Sequence, residues 1–263
     1  MKKKYWIKTK DYEIPAILTC SEQIENAPCM ILCHGTGSHK DEVGNMFLEL
    51  AEVLCEFGIA SIRFDFAGCG ESMASEQKLT FFGEVNDTLV VYDFLREIPE
   101  ICQKRIGILG FSQGARVMAE VLKKIPELKC AVSWSGACHD GEGIFSDWFV
   151  KYYDEALKNG YARIPMDWRE DLLISKEWFE EIRNTKPMTG FMQYEGPVLV
   201  MAGRKDMVVS CEHSKEIMDL CTNQESMLKI YDNADHIFCA LEKDQKMEQD
   251  VIIDTVLWIN KHI

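Results

Sequence analysis

The pentapeptide Gly110-Phe111-Ser112-Gln113-Gly114 constrains the fold of this chain more than any other stretch. It follows a short apolar run at 105–109, which is typical of a buried strand. It precedes residues 115–122, where apolar side chains recur at helical spacing. The sequence therefore predicts a strand–turn–helix with a serine at the turn. The two glycines keep Cβ atoms out of a tight turn, which is typical of a nucleophile elbow.

A serine at this position lies at the start of a helix, where free N–H groups and the helix dipole favour developing negative charge. The backbone N–H of Gln113 is the candidate donor to an oxyanion. The alternative interpretation is a glycine-flanked serine in an ordinary turn without a catalytic role. The flanking strand and helix favour the nucleophile.

Apolar runs and amphipathic segments alternate along most of the chain. The predicted strands are residues 5–9, 14–19, 29–33, 59–64, 105–109, 130–134, 197–201 and 227–231, and the predicted helices are 45–57, 82–97, 115–122, 211–220 and about 244–262. This alternation predicts an α/β fold with a mostly parallel central sheet and helices on both faces. The first two strands are predicted to form an antiparallel hairpin, with Pro15 at an exposed edge.

Roughly 60 residues separate the strands at 130–134 and 197–201, whereas a crossover needs only about a dozen. We therefore expect residues 136–195 to form a cap or lid insertion, with 1–135 and 196–263 as the core. The insertion holds eleven of the 27 aromatic residues, which predicts a cap that covers an apolar pocket. The candidates for substrate contact are Trp148, Tyr152, Trp168 and Trp178. The alternative is that the aromatics pack the insertion onto the sheet and touch no substrate.

Ser112, Asp206 and His236 each follow a predicted strand of the same sheet. The carboxyl ends of parallel strands share one edge, so these residues are expected to meet there. A serine needs a base to act as a nucleophile, and the base needs an orienting carboxylate. Asp235 is a rival acid, but a residue next to a histidine rarely points at its ring. The other histidines without a matching context are His39, His139, His213 and His262.

A second glycine-bearing loop, His34-Gly35-Thr36-Gly37-Ser38, follows the strand at 29–33. The amide of Thr36 is the candidate second oxyanion donor, and a flexible glycine turn is the alternative. His34 precedes the loop and is expected to support it rather than act as a base. Asp65 invites a catalytic interpretation, but we favour a carboxylate that accepts hydrogen bonds from loop amides.

The net charge of −14 disfavours nucleic acid and anionic membranes as partners. The chain shows no apolar run long enough to span a membrane, and we expect no secretory signal. Eleven scattered cysteines without a Cys-x-x-Cys pair predict a reduced, cytoplasmic protein. Cys138 and His139 are adjacent rather than spaced for a metal, so no metal site is predicted. A homodimer is left open.

The chain resembles the α/β-hydrolase fold, and within it the serine esterases, lipases and aminopeptidase-like hydrolases. The motifs that carry the resemblance are His34-Gly35-Thr36-Gly37, the loop at 64–72, Gly110-Phe111-Ser112-Gln113-Gly114, the stretch at 203–209 and Ala234-Asp235-His236. They are most similar to the feruloyl (cinnamoyl) esterase-like branch. Phe111 departs from the histidine frequent before the nucleophile, and Cys69 from a histidine common in the Gly-x-Gly loop.

The resemblance implies acyl transfer to water through an acyl-serine, with no metal or organic cofactor. It also implies that the Thr36 and Gln113 amides form the oxyanion hole. We expect a small-molecule ester with an apolar or aromatic acyl group, such as hydroxycinnamoyl, as substrate. The alternatives are an aminopeptidase or amidase, and a thioesterase, for which the charge of −14 offers little attraction to a polyanionic tail. A non-catalytic ligand-binding protein is opposed by the complete triad.

Overall fold

Eight strands form one central sheet in the computed structural model, which describes residues 1–244 and 246–263. In chain order they are β1 (Lys2–Lys8), β2 (Glu13–Thr19), β3 (Ala27–Cys33), β4 (Ala60–Phe64), β5 (Ile101–Phe111), β6 (Ala131–Trp134), β9 (Val198–Gly203) and β10 (Met227–Tyr231). Across the sheet the order is β1-β2-β4-β3-β5-β6-β9-β10. The pairs from β4 to β10 are parallel, and β2 pairs antiparallel with both β1 and β4.

Helices cover both faces of this sheet. They are α1 (Met46–Glu56), α2 (Phe81–Arg96), α3 (Gln113–Leu122), α7 (Cys211–Leu220) and α8 (Lys246–His262). Apolar residues of α1 and α8 belong to the buried cluster on one face, and those of α2, α3 and α7 to the cluster on the other. The predicted α/β architecture is therefore confirmed. The prediction for the last helix also included Asp244, which precedes α8, and Gln245, which lies outside the described residues.

One detail of the predicted hairpin is wrong. Pro15 is buried and lies in β2, which has β1 on one side and β4 on the other. The ladder between β2 and β4 runs from Ala16–Phe64 to Thr19–Ser61. Pro15 precedes this ladder and takes part there only as an acceptor, since its carbonyl oxygen accepts from the N–H of Asp65 over 2.9 Å.

Between β6 and β9 the chain leaves the sheet and forms a layer of its own. After a short turn of 3₁₀ helix at Gly143–Phe145 come α4 (Ser146–Asn159), the antiparallel strands β7 (Tyr161–Ile164) and β8 (Leu172–Ser175), α5 (Lys176–Asn184) and α6 (Met188–Gln193). Many of its aromatic rings contact one another, namely Phe145, Trp148, Phe149, Tyr153, Trp178 and Phe179. Residues 136–195 thus have an apolar interior shared by α4 and α5. Within the described residues, no helix is both long and apolar enough to cross a membrane.

Arg116, a fully buried residue of α3, ties the 136–195 segment to the sheet layer. Its Nη2 donates to the carbonyl oxygens of Gly141 (2.5 Å) and Ile182 (3.0 Å) and to Oγ1 of Thr185 (2.5 Å). The guanidinium carbon lies 5.6 Å from the ring centre of Phe81. Burial lowers the pKa of Arg116 to about 10, so the side chain stays charged at neutral pH. One cation therefore holds the segment near its start, at Gly141, and near its end, at Ile182 and Thr185.

Replacing Arg116 by methionine should lower the free energy of unfolding by about 2–4 kcal/mol, because two carbonyls and one hydroxyl lose their donor. Proteolytic cleavage within residues 136–195 should become faster. Urea denaturation and limited trypsin digestion measure the two effects. Lys124→Met, an exposed position just after the end of the same helix, is the matched control. Wild-type stability in Arg116→Met would contradict the anchoring role.

Candidate active site

The turn after β5 has the backbone of a strained elbow. Ser112 has φ 52° and ψ −119°, a region that residues with a side chain rarely adopt. A Cβ atom at Gly110 would lie 2.3 Å from the carbonyl oxygen of Gly114, and one at Gly114 would lie 2.0 Å from that of Cys33. Both positions therefore require glycine. The predicted strand–turn–helix is confirmed, and it lifts the Ser112 side chain above the carboxyl edge of the sheet.

Two neighbouring loops at the same edge present an acid and a base. Asp206 follows β9, and His236 follows β10. The N–H of Lys205 donates to the carbonyl oxygen of Ala234 over 2.9 Å, which joins the two loops. A Cβ atom at Gly203 would lie 2.3 Å from the same oxygen, so glycine permits this close approach. Parallel pairing of β9 and β10 thus brings residues 30 positions apart into contact.

Ser112, His236 and Asp206 form a continuous hydrogen-bonded relay. The distance from Ser112 Oγ to His236 Nε2 is 3.0 Å, and that from His236 Nδ1 to Asp206 Oδ2 is 2.7 Å. The other carboxylate oxygen of Asp206 accepts from the N–H groups of Val208 (2.7 Å) and Val209 (2.8 Å). Because the buried carboxylate can only accept, it holds the proton of the imidazole on Nδ1 and leaves the lone pair of Nε2 facing the serine.

The rival acid Asp235 points into its own loop. One of its oxygens, Oδ1, accepts from the N–H groups of Ile237 (3.1 Å) and Cys239 (2.8 Å). These bonds stabilise the turn that follows the histidine. Asp235 therefore shapes the loop that carries His236, and Asp206 is the carboxylate in contact with the imidazole.

His34 and Asp65 both serve loop structure. The Nδ1 of His34 lies 2.8 Å from the carbonyl oxygen of Gly35, and its Nε2 accepts from the N–H of Phe66 over 3.2 Å. Asp65 accepts from the N–H of Lys40 over 2.7 Å and from its ammonium group over 2.9 Å. Neither side chain is among the residues that line the cavity at Ser112.

A glutamate that the sequence analysis missed supports the loop after β3. Glu42 is 3% exposed and has φ 62°. Its Oε2 accepts from the N–H of Gly35 (2.7 Å), and its Oε1 accepts from the hydroxyl of Ser38 (2.6 Å). From the other side, Arg169 donates to the carbonyl oxygen of Gly37 over 2.6 Å. The loop that presents Thr36 is thus fixed on both sides by charged groups.

A chain of side chains connects the two candidate oxyanion donors. The hydroxyl of Thr36 donates to Oε1 of Gln113 over 2.9 Å, and Nε2 of Gln113 donates to Oε2 of Glu84 over 2.5 Å. Gln113 is the first residue of α3. Its backbone N–H therefore has no carbonyl of a preceding helical turn as hydrogen-bond acceptor. The sequence analysis also missed Glu84. The sequence feature that could have indicated it is the set of polar residues at helical spacing on the buried side of α2, namely Glu84, Asp87 and Thr88.

An apolar cavity of about 550 Å³ opens onto Ser112. Its walls include Phe111, Ile144, Phe145, Trp148, Met166, Trp168, Val208, Ile237 and Leu241. The ring of Phe111 lies 5.2 Å from that of His236, so this substitution for a frequent histidine adds an apolar wall beside the base. Of the four aromatic candidates, Trp148 and Trp168 line the cavity. Tyr152 and Trp178 are absent from its described lining, and Trp178 is fully buried against Phe145 and Phe179.

Burial raises the pKa of Glu84 from 4.5 to about 8. The folded protein then holds a proton that the unfolded chain releases, so this group makes stability fall as pH rises between about 4.5 and 8. Glu84→Gln keeps an oxygen acceptor for Gln113 and removes this ionisation. We expect the free energy of unfolding of the variant, minus that of wild type, to increase by about 2–4 kcal/mol as the pH rises from 5 to 8.

Urea denaturation at several pH values measures this difference. Glu97→Gln, an exposed carboxylate at the end of the same helix, is the control and should give a difference that does not change with pH. An equally constant difference for Glu84→Gln would show that the buried glutamate does not change its protonation in this range.

Comparisons with known proteins identify the family and the fold. The family model described as Serine hydrolase (FSH1) matches residues 82–246. An uncharacterized 31.7 kDa protein in the traX-finO intergenic region of Escherichia coli is 23% identical over 273 residues, covering 90% of this chain and 91% of that protein.

Solved structures share the fold at low identity. Est1E from Butyrivibrio proteoclasticus with bound ferulic acid has a TM-score of 0.75 at 19% identity, covering 96% of this chain and 98% of that one. The α/β hydrolase GrgF from a Penicillium species has a TM-score of 0.78 at 13% identity, covering 100% and 99%. Mouse α/β hydrolase domain-containing protein 10 has a TM-score of 0.73 at 18% identity, covering 98% and 99%. The chain has the α/β-hydrolase fold and belongs to the FSH1 family of serine hydrolases.

Proposed function

We propose that this serine hydrolase cleaves carboxylic esters with a small apolar or aromatic acyl group through an acyl-serine intermediate. The observation that carries the proposal is the relay from Asp206 through His236 to Ser112 at the floor of an apolar cavity. Free serine is a weak nucleophile, and this relay supplies the base and the orienting carboxylate that it needs.

In this mechanism Nε2 of His236 takes the proton of the Ser112 hydroxyl as Oγ attacks the ester carbonyl. The imidazolium that forms is stabilised by the carboxylate of Asp206 at 2.7 Å. It then protonates the leaving alcohol, and the acyl group remains on Oγ. Water enters, His236 removes its proton, and a second tetrahedral intermediate releases the acid and restores the serine.

The developing oxyanion is held by the backbone N–H groups of Thr36 and Gln113 in this proposal. Loss of one such donor typically costs about 3–4 kcal/mol of transition-state stabilisation. Hydrogen bonds from the Thr36 hydroxyl to the Gln113 side-chain amide, and from that amide to the Glu84 carboxyl group, hold the two donors in position relative to each other. Glu84 acts through Gln113 and is a positioning residue.

The shape and lining of the cavity support the choice of acyl group. Its volume of about 550 Å³ suits a single aromatic or short aliphatic acyl chain. We propose that residues 136–195 form a cap and that Trp148 and Trp168 of this cap contact the acyl group. In the Est1E structure the bound molecule is ferulic acid, and a hydroxycinnamoyl ester is accordingly the first substrate to test here.

The wild-type protein should hydrolyse p-nitrophenyl acetate, p-nitrophenyl butyrate and methyl hydroxycinnamates. Ser112→Ala should lose about 10⁴- to 10⁶-fold of kcat, because the nucleophile is gone. A fluorophosphonate probe should label only the wild type, and circular dichroism checks that the variant is folded. Ser133→Ala, a buried serine of β6, is the control and should keep both turnover and labelling. Faster turnover of aminoacyl naphthylamides than of any ester would contradict the ester assignment in favour of an amidase.

Trp168→Ala should lower kcat/KM for methyl hydroxycinnamates about 10-fold while changing that for p-nitrophenyl acetate by less than about twofold. The reason is that only the larger acyl group reaches the wall that Trp168 provides. Trp6→Ala is the control, because Trp6 is also partly exposed but lies on the edge strand. Equal losses on both esters would contradict an acyl contact.

A further inference from the structure

Two histidines and a glutamate meet at a place that the proposed mechanism does not use. His139 lies in the loop after β6, and His213 and Glu216 lie on α7. The imidazole rings of the two histidines are stacked, with ring centres 3.3 Å apart and planes 13° from parallel. Aromatic rings usually keep their centres about 4.5–7 Å apart. The two imidazoles are therefore brought together more closely than ring packing alone favours.

Two nitrogen atoms of this cluster are buried without a hydrogen-bond partner in the described part of the chain. They are Nδ1 of His139 and Nε2 of His213. The side chain of His213 is only 2% exposed. Its other nitrogen, Nδ1, lies 2.9 Å from Oε2 of Glu216. A buried imidazole nitrogen without a partner loses the hydrogen bond that it would make in water, so a ligand for these atoms would stabilise the site.

The charges around the histidines suit a ligand that accepts electron pairs. Burial lowers the pKa of both imidazoles, and a ring nitrogen without a proton offers a lone pair. Among the other charged neighbours, Arg116 acts on both histidines, and Asp140 acts on His213 with the opposite sign. Glu216 adds one negative charge at the outer side, where its side chain is 62% exposed and free to turn.

We propose that His139, His213 and Glu216 bind a divalent transition-metal ion of the zinc type. One ligand atom from each residue lies within 4.8 Å of the other two. Ligands of one zinc ion lie about 2.0–2.2 Å from the metal, so small side-chain rotations close the site. Two imidazoles and one carboxylate favour Zn²⁺, Co²⁺ or Ni²⁺ over Mg²⁺ or Ca²⁺, which prefer oxygen ligands. The fourth position would be taken by water.

The position of the cluster gives such an ion a structural role. His139 lies near the start of the 136–195 segment, whereas α7 belongs to the layer that covers the sheet. A Cβ atom at Gly143 would lie 2.7 Å from Cβ of His139 and 3.7 Å from Nη1 of Arg116. The site therefore lies beside the Arg116 anchor and would add a second link between the segment and the core. This inference does not depend on the proposed ester substrate.

Isothermal titration with Zn²⁺ and absorption spectroscopy with Co²⁺ test the site on the full chain after treatment with a chelator. We expect one Zn²⁺ per chain, a higher melting temperature with the ion, and Co²⁺ bands without the near-ultraviolet band of thiolate ligands. Glu216→Gln and His139→Ala should each weaken binding at least about 10-fold. Glu212→Gln is the matched control, since Glu212 is an exposed carboxylate on the same helix.

Glu216→Gln is the decisive variant, because an exposed carboxylate can be changed without loss of the fold. Absence of Zn²⁺ binding by the wild type would overturn the proposal. So would equal binding by Glu216→Gln, His139→Ala and wild type, or a thiolate band with Co²⁺, each of which would place the ion at one of the eleven free cysteines or elsewhere.

Discussion

The close contact between two backbone segments at the nucleophile turn is the constraint on which the site depends. Helix α3 passes so near the end of β3 that only hydrogen fits at Gly114, where a Cβ atom would lie 2.0 Å from a carbonyl oxygen. This contact brings Ser112 beside the Thr36 loop. The strained φ of 52° at Ser112 persists because a parallel sheet and a buried helix hold both ends of the turn.

Buried polar side chains supply the next level of order. Glu42 holds one loop, Glu84 holds Gln113, and Arg116 holds the 136–195 segment. Each would be costly to bury alone, and each forms hydrogen bonds with backbone or side-chain groups, as acceptor for the two glutamates and as donor for Arg116. The apolar core gives the protein its stability, while these few polar residues fix where the loops of the site lie relative to one another.

Strands, helices and the loops carrying Ser112, Asp206 and His236 could be predicted because periodicity and strand-end position are local properties of the sequence. Glu42 and Glu84 could not, since each is a single acid whose role arises from a partner 7 or 29 residues away. Pro15 was misplaced because one residue type cannot show which strands flank it. Trp178, one of the candidates for substrate contact, is fully buried in the segment, and its residue type alone does not show whether an aromatic faces that interior or the cavity.

Arg169 joins the turn that carries Trp168 to the Thr36 loop. It donates to the carbonyl oxygen of Gly37 in the Thr36 loop and forms an ion pair with Glu76, and it follows Trp168 in the turn between β7 and β8. Any movement of this turn away from the Thr36 loop would break these bonds. The position of Trp168 and the order of the Thr36 loop are thereby linked through one guanidinium group.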